Sequence, residues 1–136
     1  MPSVDVADEL FLAVPPTAVA AELAAPGVWR RLWPDLELEV VTDRGERGVR
    51  WTVRGGLVGS MEVWLEPVLD GTVLHYFLRA DATDPTGRPA PLPARRAAGE
   101  VRRRQLAAKA IAFELKDRLE AGRPPGEPPG KPPGCG

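Results

Sequence analysis

Between residues 47 and 81, apolar and polar side chains alternate in three successive runs, 49–54, 57–66 and 73–81. A period of two is what a strand with one buried face requires. Gly55-Gly56 separates the first two runs and Asp70-Gly71 the second two, and such dipeptides supply the positive φ angles of tight hairpin turns. The stretch therefore predicts an antiparallel meander. One face carries Val49, Trp51, Val53, Gly59, Met61, Val63, Leu65, Leu74, Tyr76, Leu78 and Ala80, nearly free of charge, and belongs to the core. The other carries Arg50, Thr52, Arg54, Ser60, Glu62, Trp64, Glu66, His75, Phe77 and Arg79. An earlier alternating run, 36–41, adds Glu37 and Glu39 to that outer face. Opposite charges on neighbouring strands contribute about 0.2–1 kcal/mol per pair and favour strands that follow one another in chain order.

The flanking segments follow from their breakers. Residues 3–14 read as a first strand whose alternation slips at Asp8-Glu9, which predicts a bulge there. Pro15-Pro16 ends it and opens a short Ala-rich helix over 17–25, with Val19 and Leu23 four apart on its apolar side. Pro26-Gly27 breaks that helix. A second helical turn over 28–33, closed by Pro34, puts Trp29 and Trp33 on one side, either as a plug for the core or as a ligand gate. Residues 81–94 are too rich in proline for a strand or helix and predict a mobile loop. One long helix follows over 95–121, its stripe made by Val101, Gln105, Ala108, Ile111, Ala112, Leu115 and Leu119. Gly122 and Pro124 stop it. The repeat RPPG-EPPG-KPPG in 123–136 can build neither core nor ladder, and predicts a disordered tail behind a domain of residues 1–122.

A net charge of −1 over 136 residues gives no global field for nucleic acid. Arg95, Arg102, Lys109 and Lys116 repeat at seven along the helix, but without interleaved aromatics beyond Phe113 they read as a solvated face. The single cysteine, Cys135, excludes an intrachain disulfide framework, and one histidine leaves little scope for a metal centre. No cofactor is expected. No stretch has the length of a membrane span and no leader opens the chain, so the expectation is a soluble, cytoplasmic protein.

The order of strand, two short helices, meander and long C-terminal helix, with PPTAV closing the first strand, resembles the helix-grip fold of the START-like (SRPBCC) superfamily. GVRWTVRGGLVGSMEVWLEPVLDGTVLHYFLRAD is the most suggestive segment, and the narrower resemblance is to small actinobacterial polyketide cyclase/dehydrase and lipid-transport proteins. The resemblance covers about residues 3–120. It implies an α+β fold with a curved antiparallel sheet wrapped around the long helix, and a cavity between them for an apolar ligand. Five strands are predicted where the superfamily has six or seven, which implies a small or one-sided cavity.

Within that frame Trp29, Trp33, Trp51, Met61, Val63, Tyr76, Leu78, Gln105, Ala108, Ile111 and Leu115 are the candidate ligand-binding residues. Small Gly59 and Ala108 opposite large aromatics leave room for a cavity, or else let helix and sheet approach closely over a filled core. Tyr76 is the inward hydroxyl of the meander and Gln105 the nearest inward polar group of the helix. His75 is the obvious general base but falls in the outward phase, Ser60 has no histidine–carboxylate pattern beside it, and no GxSxG or Walker A loop occurs. Three functions follow: carriage of a small hydrophobic or aromatic molecule, cyclisation of a polyketide chain by confinement, or an interaction module pairing weakly with a second copy through Trp64 and Phe77.

Overall fold

The computed structural model describes residues 2–121. In chain order these form β1 (Val4–Leu12), α1 (Pro16–Leu23), α2 (Pro26–Leu32), β2 (Leu36–Asp43), a 3₁₀ turn (Gly45–Arg47), β3 (Gly48–Gly55), β4 (Leu57–Val68), β5 (Gly71–Thr83), β6 (Pro89–Ala90) and α3 (Ala94–Leu119). The expected tail, 123–136, lies outside the described residues.

All strands pair antiparallel in the order β1-β5-β4-β3-β2, and β6 adds to the far end of β5. The alternation expected of β3, β4 and β5 is realised. Trp51 pairs with Met61, Met61 with Leu78, and Leu78 with Val6, a row across the inner face in which each side chain is almost fully buried. Glu37 stands opposite Arg54, and Glu62 opposite Arg50, on the outer face.

Four local expectations are corrected. The bulge lies in β2, between Val40 and Thr42, while β1 keeps an unbroken register against β5. Asp8 is thus an inward-phase polar residue, in line with Val4, Val6, Leu10 and Leu12. The β4–β5 hairpin takes its positive φ at Leu69 (55°), not at Gly71, which is glycine because a Cβ there would meet the Phe11 ring at 2.5 Å. Pro26-Gly27 opens α2 rather than separating two helices, since proline suits a first turn. The proline-rich segment contains β6, the sixth strand: Asp84 accepts hydrogen bonds from Thr86 N, Thr86 Oγ1 and Arg88 N, which fold the chain back so that Ala90 and Pro89 pair with Ala82 and Thr83. These donors hold the Asp84 carboxyl below its ordinary pKa.

α3 lies along the inner face and is fastened at its middle and at its C-terminal end. Near its middle Arg104 reaches Asp35, in the loop between α2 and β2. Near its end Lys116 Nζ donates to the carbonyl of Phe11 (2.7 Å) and Glu120 Oε1 accepts from Ala13 N (2.9 Å). These two side chains occupy main-chain groups at and just beyond the end of β1, an edge strand whose open groups would otherwise be a template for another chain. Glu114 and Arg118 tie the same helix to Arg31 of α2 and Glu22 of α1, each at 2.7 Å.

Candidate functional site

Between these fastenings a cleft separates α3 from the sheet. It encloses about 420 Å³ of empty space, open solvent at its mouth included, and the centre of a water molecule can move through about 30 Å³ of it. Leu10 of β1, Val63 of β4, and Leu74 and Tyr76 of β5 form the sheet wall. Ala108, Ile111, Ala112 and Leu115 form the helix wall, and Leu23 and Trp33 close the side under the short helices. The helix wall is shallow because two of its four residues are alanines. Asp8 and Glu9, whose side chains are 31% and 72% exposed, mark where the cleft meets solvent. Lys109 stands 3.8 Å from Asp8 across that opening.

The aromatic cluster has an order that the sequence spacing does not show. Trp29 and Trp33 both pack on Trp51, at centroid distances of 5.5 and 5.8 Å, and Trp33 stacks on Tyr76 at 6.3 Å with an interplanar angle of 11°. Each such pair contributes about 0.5–1.5 kcal/mol beyond area burial. Trp29 Nε1 donates to the carbonyl of Leu23 at 2.5 Å. The indole N–H groups of Trp33 and Trp51 are buried with no hydrogen-bond partner among the described residues, an arrangement that costs about 1–3 kcal/mol per group.

Tyr76 is 8% exposed, and burial pushes its hydroxyl up to about 12. The Trp33 N–H, near that hydroxyl but outside hydrogen-bond geometry, and the Arg104 guanidinium pull the other way by less. The phenol is therefore neutral across the physiological range. Arg104 itself is matched by Asp35 (Nη1–Oδ1 3.1 Å) and Glu100 (Nε–Oε1 3.2 Å), and its hydrogen bond holds the Asp35 carboxyl below its ordinary value.

Of the candidate ligand-binding residues, Trp33, Val63, Tyr76, Ala108, Ile111 and Leu115 meet at the cleft. Trp51, Met61 and Leu78 are sealed in the core and do not line it. Trp29 lines a separate hollow on the other side of Leu23, with Ala24, Val40 and Val49. Gln105 is exposed, which corrects its place on the inner stripe. The buried positions of α3 are Arg104, Ala108 and Leu115, so Gln105 lies one step round the helix while Arg104 lays its aliphatic stem inward. Gly59 leaves no void either: a Cβ there would sit 2.1 Å from the Arg79 carbonyl and 3.0 Å from the Ala80 Cβ.

The sequence reading missed Leu10, Leu23, Leu74 and Ala112 as lining residues, and Asp8 at the mouth. The signal for Leu10 is its unbroken inward phase, which sets it opposite Leu74. On the outer face His75 stacks on Trp64 (4.6 Å) with Nε2 3.0 Å from Glu66 and Nδ1 3.5 Å from Glu9, away from the cleft as its phase predicts. Trp64 and Phe77 are 43% and 36% exposed on that face. Among the described residues no cluster of His, Cys, Asp and Glu has the makings of a metal site, and no helix is long and apolar enough to cross a membrane.

This architecture, a curved antiparallel sheet holding one long C-terminal helix with two short helices after the first strand, is a helix-grip fold. No protein-family model matches the chain, and no curated protein is similar to it in sequence. Solved structures share its fold. The Aha1 dimer from Colwellia psychrerythraea aligns over 89% of this chain and 99% of its own, with a TM-score of 0.59 at 14% identity. A Deinococcus radiodurans protein aligns over 83% of this chain and 97% of its own (TM-score 0.55, 15% identity). The Polyketide_cyc-like protein from Corynebacterium glutamicum covers 90% and 96% (TM-score 0.50, 18% identity).

Proposed function

We propose that the chain binds a small apolar or aromatic molecule, lipid-like or polyketide-like, in the cleft between α3 and the sheet. One observation carries this reading: an almost wholly apolar cleft, walled by Leu10, Val63, Leu74, Ala108, Ile111 and Leu115, has the hydroxyl-bearing Tyr76 in its lining. Ligand sites share that combination of apolar walls and few polar groups. The fold shared with the Polyketide_cyc-like protein is consistent with it. Free space for only about two waters means that a ligand displaces side chains on entry, and half-buried Leu10 and Ile111 are the least enclosed of the large apolar side chains in the lining. Fluorescence titration with a naphthalene-based hydrophobic dye tests the reading, with Ala108→Leu as the cleft-filling control. Saturable binding weakened by Ala108→Leu supports it; dye binding indifferent to that change sinks it.

The exposed pair Trp64 and Phe77 favours a second reading, weak self-association through the outer face. Sedimentation of wild type and Trp64→Arg across a concentration range tests it, and a monomer at every concentration in both rejects it.

A further inference from the structure

Resting on the cleft as a ligand site, we propose that its ligand carries a neutral hydrogen-bond-accepting oxygen, a ketone or phenol on an apolar skeleton, seated against Tyr76 and Trp33. Two buried donors meet on this wall. The Trp33 indole N–H is buried, in a side chain only 4% exposed that lines the cleft, and has no partner among the described residues. Tyr76 lies stacked beside it and lines the same wall, and its hydroxyl, protonated at neutral pH like any phenol, is held all the more firmly in that state by burial. Donors kept in an apolar enclosure discriminate strongly for a ligand that offers them an acceptor, because a ligand without one leaves them unpaired.

Charge decides between a neutral and an anionic acceptor. The guanidinium whose charge acts on Tyr76 belongs to Arg104, and it is already matched by the carboxylates of Asp35 and Glu100. At the opening stand Asp8 and Glu9, with Lys109 against Asp8. Glu9 turns to His75 on the outer face, and Arg103 shares Glu100, so the carboxylates of Asp35, Glu100 and Asp8 are balanced by Arg103, Arg104 and Lys109. An entering carboxylate gives up its hydration and meets no unmatched cation among the described residues at the cleft. A ketone or phenol has no charge to be matched.

Three probes of one size separate the possibilities: 2-acetylnaphthalene, its methylene isostere 2-isopropenylnaphthalene, and 2-naphthoate, each titrated into wild type, Tyr76→Phe and Trp33→Phe. The ketone is expected to lose about fivefold to tenfold in affinity on Tyr76→Phe, the scale of one hydrogen bond, while the isostere is unchanged. Naphthoate is expected to bind more weakly than the ketone. Tyr76→Phe keeps the ring and its stacking, so it serves even where Trp33→Phe destabilises the fold. Ketone and isostere responding alike to Tyr76→Phe, or naphthoate binding as tightly as the ketone, overturns the inference and leaves apolar binding in the cleft standing. Failure of all three probes to bind wild type overturns both.

Discussion

Arg104 and Asp35, 69 positions apart in the chain, meet through two nitrogens and two oxygens and join α3 to the loop that leads into β2. The same loop sits under the β3–β4 turn, where Gly56 N donates to the Asp35 carbonyl and a Cβ on Gly55 would come within 2.8 Å of it. One side chain of the helix thus fixes the end of the cleft nearest Trp33.

Replacing Arg104 with Met should keep the buried stem but remove the pair, leaving Asp35 half-exposed and able to recover water. The expected loss is about 1–3 kcal/mol, less than for a fully buried partner, as read from urea denaturation.

The pair also sets a pH dependence. The Asp35 pKa is lowered in the folded state by its Arg104 hydrogen bond, so its contribution is complete above the unfolded carboxylate value of 3.8 and is lost as pH falls through the folded one. The stability difference between wild type and Arg104→Met should therefore be constant near neutrality and shrink in acid below that value. A difference that grows on acidification would contradict the assignment.

Ala108→Leu puts added methylenes into the cleft, where they gain burial at about 25 cal/mol per Å². The variant should be at least as stable as wild type within about 0.5 kcal/mol, and should bind a hydrophobic probe more weakly. A core without room would instead lose about 1–3 kcal/mol. Denaturation and titration of the same two proteins measure both quantities.

Gly59→Ala is expected to be among the most damaging single changes in the sheet. Its Cβ would fall 2.1 Å from the Arg79 carbonyl, a backbone atom that moves only if β5 separates from β4. A loss of more than about 3 kcal/mol, or failure to fold, is expected by thermal denaturation.

Glu62→Gln tests the outer face. Glu62 pairs with Arg44 at a site where both side chains keep about a third or more of their exposure. The change should cost no more than about 1 kcal/mol in the same assay.

The meander was legible because its alternation is strict and each polar position is balanced by an apolar one. β1 was less so, since a carboxylate at an inward phase looks like a slip unless one knows that the sheet reaches the mouth of a cleft at Asp8 and that Lys109 stands opposite. Arg104 and Gln105 show the same limit on the helix. Polarity favours Gln105 as the milder residue to bury, whereas the phase set by Ala108 and Leu115 favours Arg104, and phase prevails because Asp35 and Glu100 meet its charge. β6 is two residues long and depends on the Asp84 turn, which proline content conceals. Of the site, the walls contributed by the meander and α3 were readable from their phase. The division between core and cleft was not, because Trp51 and Trp33 differ in tertiary placement rather than in residue type.

Lys116 and Glu120 hold the carbonyl of Phe11 and the amide of Ala13 from a helix that also roofs the cleft. Lifting the C-terminal end of α3 to admit a ligand would strip both partners at once and leave an edge open to strand pairing with another chain. Traffic through that end is therefore bound to a risk of aggregation. The opening beside Asp8 and Lys109 carries no such penalty, which makes it the safer door.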